Sequence, residues 1–83
     1  MYQLEISQTA HRQIRVLPIR TAERINEAMG RLAEEPRPSG VRKLAGLEGY
    51  RLRVGDYRIL YKIRDESRLV TVYRVKHRRE VYR

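Results

Sequence analysis

YRLRVGDYRILYKIR, residues 50–64, decides the fold. Tyr50, Leu52 and Val54 alternate with Arg51 and Arg53, the two-residue period of a strand with one buried face. Gly55-Asp56 then supplies a tight turn, since glycine adopts positive φ without steric cost. Tyr57, Ile59, Tyr61 and Ile63 carry the same alternation back along a second strand, with Arg58 and Lys62 on its other side. The stretch predicts an antiparallel hairpin with an aromatic and aliphatic face and a cationic one.

Downstream, Asp65, Glu66 and Ser67 make a further turn, and residues 69–76 are rich in β-branched side chains, which favours a third strand before the terminal HRREVYR. Upstream, YQLEIS at residues 2–7 alternates like an opening strand. Ser7 is placed to cap a helix carrying Ala10, Ile14 and Leu17, which Pro18 interrupts. Thr21 is expected to cap a second helix, whose Ala22, Ile25, Ala28, Met29 and Leu32 form one apolar stripe. Pro36, Pro38 and Gly40 end it. Strands at 2–7, 49–55, 57–64 and 69–76 give an α+β fold: a four-stranded, antiparallel-rich sheet with an N-terminal αα-hairpin packed on one face. Residues 36–48 form the main loop, and 1–83 make a single domain, because so short a chain cannot divide its apolar residues between two cores.

The chain carries 19 Lys and Arg against 10 Asp and Glu, a net charge of +9. Residues 1–48 hold 8 cations and 6 anions, whereas residues 49–83 hold 11 and 4, so the sheet carries the excess. All the cations except Lys43, Lys62 and Lys76 are arginines, whose planar guanidinium suits bidentate phosphate contact. Strand parity puts Arg51 and Arg53 on one face, with Arg58 and Lys62, then Arg74 and Lys76, and Arg78 at its margin. Leu60, Val70 and Val72 fall on that face too, so a partner or the chain's own end should cover part of it. An ordinary solvated face mixes signs, because like charges on neighbouring strands repel. A face of at least six cations without a carboxylate points instead to an anion as its occupant, and nucleic acid is the first to consider.

Cysteine is absent, which excludes disulfides, thiolate metal sites and cysteine nucleophiles. His11 and His77 lack carboxylates at ligand spacing, so neither a metal nor a cofactor is expected. With neither a membrane-length apolar run nor a signal-like start, the expected location is the cytoplasm.

Binding needs only charge, whereas cleavage needs a group that moves a proton. Tyr82, beside arginines that favour its phenolate, is a candidate general base, or else pads the sheet face. His77 is a second candidate, although parity turns it toward the helices and a structural role. Glu80 is expected to pair on the surface with Arg78 or Arg79.

The run Lys43-Leu44 through Gly46, the hairpin YRLRVGDYRILY and the ending VKHRREVYR together resemble the RelE/ParE toxin superfamily, specifically its RelE branch. The resemblance spans nearly the whole chain and implies the fold just derived. It also implies a type II toxin: a metal-independent endoribonuclease that cuts mRNA in the ribosomal A site and is held inactive by a small cognate antitoxin. Carried over residue by residue, the basic pair on the second strand falls at Arg51 and Arg53, where the family commonly has lysines. The phosphate-binding arginine falls at Arg58, the later arginine at Arg78 and the C-terminal tyrosine at Tyr82. Lys43, Lys62, Arg74 and Lys76 are the further cations expected to contact RNA. A ParE-like inhibitor of DNA gyrase and a non-catalytic nucleic-acid-binding module are the alternatives.

Overall fold

In the computed structural model, which describes residues 1–45 and 49–81, the alternating stretch around Gly55 folds as the expected hairpin. The chain runs β1 (Gln3–Ile6), α1 (Gln8–Arg15), α2 (Ile19–Glu34), β2 (Arg42–Lys43), β3 (Tyr50–Val54), β4 (Tyr57–Arg64), β5 (Leu69–His77) and α3 (Arg78–Val81). The architecture is α+β with the helical hairpin on the sheet, as predicted, but the sheet has five strands, ordered β1-β5-β4-β3-β2. The additional strand is the two-residue β2, inside the segment expected to be loop, and two residues are too few to show a period. β1 pairs parallel with β5; the other pairings are antiparallel.

The Ser7 hydroxyl accepts the Ala10 amide at 3.0 Å and so starts α1, as its sequence position predicts. Thr21, by contrast, caps nothing: α2 begins at Ile19 with Pro18 at the cap, and Thr21 lies inside the first turn. Proline suits a helix start because its missing amide is one the helix leaves unpaired there. Ala10 and Ile14 from α1 and Ile25, Ala28, Met29 and Leu32 from α2 bury against Ile59, Tyr61, Val70, Val72 and Val75 of the sheet.

Val70 and Val72 therefore belong to the core and not to the cationic face. The cause is a β-bulge. Leu60 pairs with Arg74 but Tyr61 pairs with Val72, so Tyr73 is an extra residue on β5. Parity reverses at that point. Val70 and Val72 point inward before it, Val75 points inward after it, and Arg74 and Lys76 consequently face out.

The loop after α2 is tied to the sheet through Pro36 and Arg37. The Tyr61 hydroxyl donates to the Pro36 carbonyl at 2.7 Å, a buried bond. Arg37 grips Asp65 with two hydrogen bonds of 3.2 and 2.9 Å, donates to the Tyr50 hydroxyl at 3.2 Å, and lies over that ring. Tyr2 donates to the same carboxylate at 2.6 Å. Arg37 first, and Tyr2 second, hold the Asp65 carboxyl below the usual carboxylate range.

Two glycine substitutions should move stability in opposite directions. Gly30 lies within α2, where an added Cβ meets nothing within 4 Å, so Gly30→Ala should stabilise by about 1 kcal/mol. Gly49 has φ +124 and an added Cβ would sit 2.8 Å from the Tyr61 carbonyl, so Gly49→Ala should cost about 2 kcal/mol. Urea unfolding of both variants checks the pair. The clamp has a pH signature: because the folded Asp65 carboxyl titrates below its unfolded value, its contribution is present at neutral pH and is lost as pH falls below about 4. Unfolding measured from about pH 7 to about pH 3 should show a shallower acid loss in Asp65→Asn.

Candidate functional site

Side chains directly opposite one another across a ladder share a face, so the pairing register determines which cations gather. Arg42 lies opposite Arg51, Arg53 opposite Arg58, and Arg58 opposite Lys76. Like charges in three consecutive cross-strand positions are unfavourable by themselves. Leu60 occupies the next rung, between Arg51 and Arg74, and is 9% exposed. As expected, it sits among the cations and not in the helical core.

Arg58 is the most constrained of these residues. It is 6% exposed, the only charged residue buried to this degree among those described. One guanidinium nitrogen donates to the Tyr57 carbonyl at 3.0 Å and to the Gly55 carbonyl at 3.3 Å, while Arg53 reaches the same Gly55 carbonyl at 3.4 Å. These bonds point the group in one direction without neutralising it. The ion pairs of Arg31 with Glu27 and of Arg37 with Asp65 lie off this cleft, and Arg58 forms none with a described carboxylate. Gly40, Arg42, Arg51, Arg53 and Arg58 line an open pocket of about 410 Å³. Its wall is four guanidinium groups and a glycine. Such a pocket suits a tetrahedral oxyanion, which guanidinium donors can bind in bidentate fashion.

The structure redistributes the remaining expected residues. Arg74 and Lys76 lie on the cationic face, Arg74 exposed and Lys76 paired with Arg58. Lys43 does not join it: it pairs with Tyr50, whose ring packs with the core, so Lys43 takes the opposite parity. Arg42 stands where Lys43 was expected. Sequence reasoning missed Arg42 because nothing in a presumed loop assigns parity; only the pairing with Arg51 does. Lys62 faces outward but at the far end, over the Tyr73 ring at 5.6 Å and opposite Thr71. Thr71 in turn pairs with Glu5 of β1, which brings a carboxylate onto that end of the face. Glu5 and Lys62 thus share that end of the face, against the expectation of a face without carboxylates.

Arg78 opens α3, exposed, with its amide donating to the Asp56 carbonyl at 2.7 Å. That bond places it beside the Gly55 turn and so at the Arg58 end of the sheet. His77 is half-buried on the inner side, edge-on to the Tyr57 ring at 5.2 Å, in keeping with a structural role. Glu80 is exposed and makes no ion pair with Arg78 or Arg79 among the described residues, contrary to expectation; in a single helical turn its immediate neighbours do not face it. Tyr82 and Gly46 lie outside the described residues. No described helix is long and apolar enough to cross a membrane.

Comparison with known proteins agrees with this fold. Residues 4–82 match the family model for the ParE toxin of the type II toxin-antitoxin system parDE. The chain is 40% identical over 86 residues to Toxin RelG of Mycobacterium tuberculosis, covering 99% of this chain and 97% of that protein. Among solved structures, it superimposes on the RelBE2 toxin-antitoxin complex of M. tuberculosis with a TM-score of 0.81 at 34% identity, covering 92% of this chain and 96% of the other. The archaeal RelE-RelB complex of Pyrococcus horikoshii OT3 gives a TM-score of 0.82 at 29% identity, over 93% and 94% of the two chains.

If the row Arg53, Arg58 and Lys76 is mutually repulsive, screening should relieve it. The melting temperature should rise as salt is raised from about 0.02 M to about 0.3 M. Arg53→Gln should melt about 3 °C higher than the parent at the low-salt end and lose that advantage at the high-salt end, as followed by circular dichroism.

Proposed function

The chain belongs to the ParE toxin family of type II toxin-antitoxin systems, within the RelE/ParE superfamily, and from that membership and the geometry of the cleft we propose that it is a ribosome-dependent endoribonuclease that cleaves mRNA in the A site. The observation that carries the proposal is the buried, aimed and unneutralised Arg58 guanidinium among Arg42, Arg51 and Arg53. A surface that merely attracts polyanions needs none of its cations buried.

In the proposed reaction the RNA 2′-hydroxyl attacks the adjacent phosphorus, the bond to the 5′-oxygen of the next nucleotide breaks, that oxygen leaves as a hydroxyl with a proton from solvent, and a cyclic phosphate remains. Negative charge grows on the non-bridging oxygens, and Arg58 with Arg78 stabilises it. Tyr82 takes the 2′-hydroxyl proton. Arg51 and Arg53 supply charge but no proton, because guanidinium stays protonated throughout the accessible pH range. Arg42, Arg74 and Lys76 hold the flanking phosphates. The scheme uses only the chain's own groups and calls for no metal.

The solved relatives include toxin-antitoxin complexes, which supports a cognate antitoxin as the second partner. We expect a small acidic protein that covers the cationic cleft together with Leu60. Action on ribosomes places the chain in the cytoplasm.

Purified protein added to ribosomes programmed with a defined mRNA should yield A-site cleavage. Arg58→Ala should reduce the rate by about 10²- to 10³-fold, and Tyr82→Phe should also impair it. Inhibition of gyrase supercoiling with intact mRNA would overturn the proposal in favour of a gyrase-directed toxin. Salt-sensitive RNA binding without either activity would leave a binding module.

A further inference from the structure

The proposed chemistry leaves His77 unused. His77 is the last residue of β5 and directly precedes α3, so it occupies the N-cap position of that helix. Its Nδ1 accepts a hydrogen bond from the Arg79 amide at 3.3 Å. A side chain at the cap that accepts the amide two residues on is the geometry by which Ser, Asp or Asn starts a helix. An imidazole nitrogen can accept only through a lone pair, so the bond requires the neutral ring with its proton on Nε2. The ring is held from the other side by the Tyr57 ring, with the planes at 86°.

Tyr57 and the neighbouring turn also serve the cleft. The Tyr57 and Gly55 carbonyls receive the Arg58 guanidinium, and the Asp56 carbonyl receives the Arg78 amide. Two consecutive amides at the start of α3 are therefore held, Arg78 by the Asp56 carbonyl of this turn and Arg79 by the His77 ring. A four-residue helix has little stability of its own, so such fastenings decide how it leaves the sheet.

We propose that His77 is a positioning residue: its neutral imidazole caps α3 and thereby directs Arg78 toward the phosphate held at Arg58. This rests on the reading of Arg78 as a phosphate ligand. His77 does not exchange protons with substrate. The role assigned to it demands an acceptor at the Nδ1 position, not an imidazole as such.

Two substitutions separate those demands. His77→Phe keeps an aromatic ring against Tyr57 and removes the acceptor; His77→Asn keeps an acceptor near Nδ1 and removes the ring. Nitrogen NMR of the parent should show the Nε2-protonated tautomer. In His77→Phe, the Arg79 amide should exchange with solvent about fivefold faster, the size expected for loss of one cap. Turnover of ribosomal mRNA cleavage should fall while KM changes little, and His77→Asn should restore both readings. Unchanged Arg79 exchange in His77→Phe, faster exchange without loss of turnover, or His77→Asn as impaired as His77→Phe would each overturn the inference. Should the parent itself cut no mRNA, the functional reading fails separately. The cap is then judged by affinity for a single-stranded RNA oligonucleotide, which His77→Phe should lower and His77→Asn restore; equal affinities would overturn it. Thermal melting of each variant confirms that a folded protein is being compared.

Discussion

Arg53, Arg58 and Lys76 stand opposite one another on three adjacent strands, and the rest of the molecule is organised so that this unfavourable row can exist. Strand pairing alone would not hold it, since each cross-strand contact in the row is repulsive. The opposite face of the same strands supplies the restraint: Ile59, Tyr61 and Val75 are buried beneath two helices whose apolar stripes have nowhere else to go. Cations cannot separate without opening that core. The cleft is thus a property of both faces at once, with burial on one side enforcing proximity on the other.

The bulge at Tyr73 makes the two faces compatible. β5 must place Val70, Val72 and Val75 in the core while showing Arg74 and Lys76 to solvent, and no unbroken alternation satisfies all five. One surplus residue does. It also explains why the reading of residues 69–76 failed where that of 50–64 succeeded. The hairpin strands follow a strict period of two, so composition and parity agree at every position. A bulge leaves composition untouched and is visible only as a pairing shift.

Other misreadings have the same origin in long-range pairing. β2 is too short to carry a period, so Arg42 was invisible until Arg51 was placed beside it. Glu5 is distant from Lys62 in sequence, yet the parallel pairing of β1 with β5 sets the two near each other. Local signals fared better: the Ser7 cap, the Gly55 turn and the apolar stripe of α2 all depend on neighbours within a few residues and were legible. Pro18 took the place expected for Thr21 because a proline can begin a helix as well as interrupt one. Tyr82 was singled out by the resemblance and by its arginine neighbours, and it lies outside the described residues.

The parallel pairing of β1 with β5 also bears on synthesis. Gln3 meets Leu69 and Ile6 meets Val72, so the first strand waits for nearly the whole of the sheet before it has a partner. Pairings so distant in sequence form late, because the chain between them must be ordered first. β5 is also the strand that carries Lys76 to Arg58. A nascent chain lacking β5 can build neither the closed core nor the complete cationic row. The topology therefore delays the charged surface until translation has passed the last strand.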